Sequence, residues 1–115
     1  MPHFPQVQTK TRAPRVRVPN SESIRFNLGG RQVSAILQKI SLTGGLAEFT
    51  SSIGSATIAE AKLTTISGQV SGLVEFLPSP DGSDVYPFRF IALSDQDYER
   101  LSATIKFMQQ QGFGA

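Results

Sequence analysis

The feature that most limits what this chain can fold into is its succession of short alternating runs, each cut off by glycine, proline or small polar residues. In Ser23–Leu28, Ile24, Phe26 and Leu28 alternate with Arg25 and Asn27. Alternation with period two puts the apolar side chains on one face of an extended segment, the mark of a half-buried strand. Gly29-Gly30 follows, a pair that takes positive φ without steric cost and so closes a two-residue hairpin. Arg31 to Ile40 reads as the returning strand, with Val33, Ala35 and Leu37 on one face. Ser41 to Gly45 is a turn, Leu46 to Thr50 a third strand, and Ser51 to Ser55 a small-residue loop. Ala56 to Ser67 carries conflicting signals. The run IAEAKL favours helix, whereas Thr57, Ile58, Thr64, Thr65 and Ile66 favour strand. Strand is preferred, because Gly68 and a clear strand, Gln69 to Leu77, come next. Pro78 to Asp84 is a turn cluster. Val85 to Leu93 is the sixth strand, with Phe88 and Phe90 on one side. Pro87 has no N–H to donate, so it belongs at an edge or a bulge.

The pattern then changes period. Ser94 can cap a helix, Asp95 and Asp97 complement its positive end, and Ser94 and Asp97 have capping-box spacing. Tyr98, Leu101, Ile105 and Met108 recur as one apolar stripe, and Gly112 stops the helix. The expected fold is mainly β: a small six-stranded antiparallel barrel with a C-terminal helix packed on it. A chain of 115 residues makes one domain with a small single core. Residues 1–9 have no pattern and are expected to be disordered. The domain spans 10–112, opening with a basic arm at 10–20, and 113–115 is a tail. Pro14 and Pro19 stiffen the arm by fixing their own φ and extending the residue before each.

Composition excludes several kinds of chemistry. There are no cysteines and one histidine, His3, so neither a thiolate nucleophile nor a metal site is expected. The acidic residues are scattered, and no base–nucleophile pair can be assembled from the chain. The glycine pairs are not followed by the Lys-Ser/Thr of a phosphate loop. The chain is therefore not expected to be an enzyme or to hold a cofactor. No apolar run is long enough to insert in a membrane, and the N-terminus lacks the apolar core of a signal peptide. A cytoplasmic protein is the default expectation.

Charge is what remains. Lys10, Arg12, Arg15 and Arg17 include no acidic residue among them. The other seven basic residues face nine acidic ones, so positive potential concentrates on the arm, where it attracts an anion better than a diffuse charge would. A solvated basic tail is the plain alternative. Guanidinium groups bind phosphate, or the guanine edge, through paired hydrogen bonds. Ser41 offers a hydroxyl, and Gly44-Gly45 offers close approach and backbone N–H groups arranged as an anion nest. The arm is expected to reach this turn through space.

Arm and turn together resemble the PilZ domain family, whose signature is RxxxR on an arm followed by (D/N)xSxxG at a turn between strands. TRAPR (Thr11 to Arg15) falls on the first motif and KISLTG (Lys39 to Gly44) on the second. YPFRFIALSDQDYERLSATI is similar to the family's last strand and the helix after it. The resemblance implies a six-stranded barrel and a receptor for cyclic di-GMP. It implies that Arg12 and Arg15 grip guanine and phosphate while Ser41 and Gly44 meet the ligand's other side, with Lys10 and Lys39 adjacent to these positions. Two positions depart from the signature. Thr11 replaces the opening arginine, and Lys39 stands where a carboxylate or amide acceptor is expected, although an ammonium only donates. The family also contains adaptors that do not bind the nucleotide and act on protein partners, for example in type IV pilus machinery. Two readings follow: a cyclic di-GMP receptor that signals to a protein partner, or a nucleotide-independent adaptor. Nucleic-acid binding is disfavoured, because exposed aromatics do not interleave with the basic residues.

Overall fold

The computed structural model describes residues 2–3, 16–18, 22–50, 53, 57–79 and 82–112. The strands are β1 (Pro2–His3), β2 (Val16–Arg17), β3 (Ser23–Leu28), β4 (Arg31–Ile40), β5 (Gly44–Phe49), β6 (Ile58–Thr65), β7 (Gly68–Phe76) and β8 (Val85–Ser94); the helix α1 is Asp95–Gln110. The long strands pair antiparallel in the order β8-β5-β4-β3-β6-β7, and β7 pairs with β8 again. The sheet is thus a closed six-stranded barrel with one C-terminal helix, as expected. Among the described residues, closure gives each of the six long strands a neighbour on both sides.

The two short strands continue ladders that a neighbour has left. β1 pairs with Leu93 and Ser94, beyond the stretch of β8 that β5 occupies. Pro2 and His3 lie in the stretch expected to be disordered, and their backbone extends the ladder at the end of β8. β2 sits on β4 past the end of β3, with Val16 opposite Ile40 and Arg17 opposite Lys39.

Phe26 is the centre of the core. It is fully buried, and its ring lies 5.4 Å from Phe49, 4.9 Å from Phe76 and 5.6 Å from Phe88. The contacts to Phe76 and Phe88 are edge-to-face, the arrangement favoured by the ring quadrupole. Phe49, Phe76, Phe88 and Phe90 are core residues, with Phe88 and Phe90 on one side of β8 as their alternation suggests. The ambiguous segment is strand, but it ends at Thr65 rather than Ser67. Thr65 Oγ1 accepts from the Ser67 N–H and donates to the Gly68 carbonyl, which turns the chain and leaves Ile66 on the surface.

Two bulges break the alternation. Leu37 opposes Ala47 and Lys39 opposes Leu46, so Gln38 is the extra residue in β4. Leu73 opposes Ala92 and Val74 opposes Phe90, so Ile91 is the extra residue in β8. Each bulge inverts which residues face inward. Pro87 is flanked on both sides, by Leu46 in β5 and by Leu77 just past β7, rather than lying at a sheet edge. Its carbonyl accepts from the Leu77 N–H, so the bond it cannot donate falls just past the last rung of the β7–β8 ladder.

α1 begins at the expected Ser94 cap, with the Asp97 carboxylate meeting the Ser94 hydroxyl in place of the Ser94 N–H of a capping box. Ser94 Oγ accepts from the Asp97 N–H and donates to the Asp97 carboxylate at 2.6 Å. Asp97 also accepts from the Ser71 N–H of β7, so the cap ties the helix to the barrel. Leu101, Thr104 and Ile105 are buried against the barrel, with Tyr98 and Met108 packed beside them. Gly112, at φ 88°, ends the helix. Among the described residues no helix is long and apolar enough to cross a membrane.

Candidate functional site

β4 ends at Ile40, and the chain turns through Ser41, Leu42 and Thr43 into β5. The turn is held by one side chain. Ser41 Oγ accepts from the N–H groups of Thr43 and Gly44, both at 3.2 Å. Its own proton goes to the Gly44 carbonyl at 3.2 Å or to Thr43 Oγ1 at 3.1 Å. A hydroxyl has one proton and two lone pairs, so Ser41, 4% exposed, makes its full complement of bonds inside the turn. The Ser41 N–H closes the ring by donating to the Gly44 carbonyl at 2.7 Å. The hydroxyl read from the sequence as a ligand donor is here the staple of its own turn.

The reading of Gly44 and Gly45 as turn residues is corrected. Gly44 and Gly45 belong to β5, opposite Arg89 and Phe88, and neither has the positive φ that other glycines of the chain show. They do not form an anion nest, and the Gly44 N–H points at Ser41 Oγ. Their requirement is steric. A Cβ on Gly44 would lie 2.0 Å from the Phe88 carbonyl oxygen, and one on Gly45 would lie 2.3 Å from that of Lys39. Only a residue without Cβ lets β5 pass this close to β4 and β8.

The described end of the arm, residues 16–18, runs alongside the end of β4. Val18 N–H donates to the Gln38 carbonyl at 2.9 Å, and the register continues through Arg17–Lys39 to Val16–Ile40. Val16 and Ile40 are buried; Arg17 is exposed and Lys39 half-buried. The apolar pair anchors the strand to the core while the charged pair faces outward. Lys10, Arg12 and Arg15 lie outside the described residues.

Of the charged groups nearby, Arg89 and Glu75 are paired with each other. Arg89, opposite Gly44, places Nε and Nη2 each 2.6 Å from Glu75 Oε1. Glu48 accepts from Gln38 Nε2. Among the described residues neither Arg17 nor Lys39 has an ion-pair partner. Sequence reading counts Arg17 among the arm's cations without giving it a site role; its alternation with Val16 is the one signal that it would share a face with a strand partner. A concavity beside the start of α1 is lined by Ser71, Ser94, Glu60 and Asp95 among others. Its carboxylates disfavour an anion, and the Ser71 N–H is already bonded to Asp97.

No protein-family model matches the sequence, and no curated protein matches it significantly. A solved structure does. The PilZ domain of YcgR from Escherichia coli, with c-di-GMP, superposes with a TM-score of 0.67 over 90% of this chain and 95% of that one. The chain has a PilZ-like fold. At 14% identity the likeness lies in the path of the backbone. The PilZ-like barrel places the KISLTG stretch at the β4–β5 turn and brings the last residues of the arm alongside it.

Proposed function

We propose that this chain is a regulatory module that binds cyclic di-GMP between its basic arm and the β4–β5 turn. The observation that carries this reading is the pairing of Val16 and Arg17 with Ile40 and Lys39. It brings the end of the arm to the residue before Ser41, in a fold whose structural neighbour holds the same ligand. Arg15 is covalently next to Val16, and Arg12 lies one short step further along. In this reading Arg12 and Arg15 grip guanine and phosphate. Ser41 and Gly44 shape the turn against which the ligand rests, and Lys10 and Lys39 add positive charge. The module works by binding rather than by catalysis, in the bacterial cytoplasm, and a protein partner reads the arm once the ligand has fixed it on the barrel.

Calorimetric titration of cyclic di-GMP into the wild type and Arg15→Ala tests this. A charge-assisted contact contributes about 1.5–3 kcal/mol, so the mutant should bind at least about tenfold more weakly. No heat from the wild type up to high micromolar ligand would overturn the reading. A nucleotide-independent adaptor is the second reading, and Lys39 favours it, since a donor stands where the resemblance calls for an acceptor. It predicts a protein partner captured equally with and without nucleotide.

A further inference from the structure

Arg17 and Lys39 are directly opposite each other on the β2–β4 ladder. The bond from Val18 N–H to the Gln38 carbonyl makes the neighbouring Val18–Gln38 rung the hydrogen-bonded one. In an antiparallel ladder the two kinds of rung alternate, so Arg17–Lys39 occupies a non-hydrogen-bonded rung, where the Cα atoms are about 4.5 Å apart and side chains come closest. Like charges so placed weaken a ladder. The bulge at Gln38 is what creates the opposition: with Leu37 inward, strict alternation would send Lys39 into the core, and the extra residue turns it outward and Ile40 inward. Among the described residues no carboxylate lies within ion-pair distance of either cation; Glu75 is engaged by Arg89.

We infer that Arg17 and Lys39 form a cationic clamp for a phosphodiester phosphate, so that this side of the site reads the backbone of a dinucleotide and not its base. The inference rests on the proposed binding of a cyclic dinucleotide at this turn. Both side chains are donor-only, which suits phosphate oxygens: the guanidinium takes two oxygens through its fork, and the ammonium acts as a point charge on the other side. A shared anion converts the repulsion across the rung into attraction to a common partner. An arginine could instead meet the O6/N7 edge of guanine, and the test separates these cases.

Arg17→Met and Lys39→Met keep the aliphatic stems and remove the charges. Each is titrated calorimetrically with cyclic di-GMP and with cyclic di-AMP, which share phosphates and differ in bases; amide spectra matching the wild type show that the barrel is intact. Each substitution should weaken both ligands by the same factor, about tenfold. A loss confined to cyclic di-GMP would replace the clamp with a base contact, and no loss with either ligand would remove it. If the wild type fails to bind cyclic di-AMP or both nucleotides, the clamp is judged with inorganic pyrophosphate, followed through the backbone amides of Arg17 and Lys39. Shifts in the wild type that vanish in Lys39→Met support the clamp even where the proposed function fails, and their absence in the wild type overturns it.

Discussion

Ser41 and Gly44 form a self-contained unit. The hydroxyl of Ser41 receives two N–H groups, and the missing side chain of Gly44 lets Phe88 approach. Thr65 uses the same device at the β6–β7 turn, where it bonds Ser67 and Gly68. A Ser at a position three before a strand glycine thus has a structural use whether or not a ligand is bound. Ser41→Ala removes the acceptor of two N–H groups in a largely buried turn, and an unsatisfied buried group costs about 1–3 kcal/mol. The substitution should lower the urea midpoint accordingly, with Ser41→Thr losing less because it keeps the hydroxyl. An unchanged midpoint in Ser41→Ala would mean that the turn holds without its staple.

The elements are joined by a few residues with double duties. Asp97 completes the cap of α1 and accepts from β7, so helix start and barrel wall are fixed by one carboxylate. Ser94→Ala should cost about 1 kcal/mol, the usual loss of an N-cap, seen as a lower melting temperature and faster amide exchange in the first turn. Asp97→Ala keeps the cap bond, because its own N–H still reaches Ser94 Oγ, and removes the acceptor of the Ser94 hydroxyl and of the Ser71 N–H; it should lower the melting temperature by a similar amount, and no loss would show that the tether to β7 contributes nothing. Arg100 adds a second tie, donating to the Gln69 carbonyl. The short β2 has the same double character: Val16 holds it to the core, and Arg17 is presented outward because Val16 is held.

At the scale of the whole molecule, the barrel is closed around Phe26, which meets aromatic rings from β5, β7 and β8. Phe26→Ala should destabilise by about 3–5 kcal/mol, a loss read by chemical denaturation; a loss under about 1 kcal/mol would mean that the wall collapses to fill the space. The sequence by itself determined the six strands, the hairpin at Gly29-Gly30, the aromatic core and the capped helix. Each of these rests on local periodicity or on a side chain bonding a neighbour a few positions away, and such rules act within one segment. It also supplied KISLTG and the basic arm as a pair. Only the tertiary structure decided how the pair meets. Alternation through Val33, Ala35 and Leu37 points Lys39 inward, and nothing local announces the extra residue at Gln38; the bulge exists because β5 must pair with β4 in a register that buries both Leu37 and Ile40. The glycines at 44 and 45 read as turn residues for the same reason. Their need comes from the backbones of β4 and β8, which lie beside β5 only once the barrel has closed.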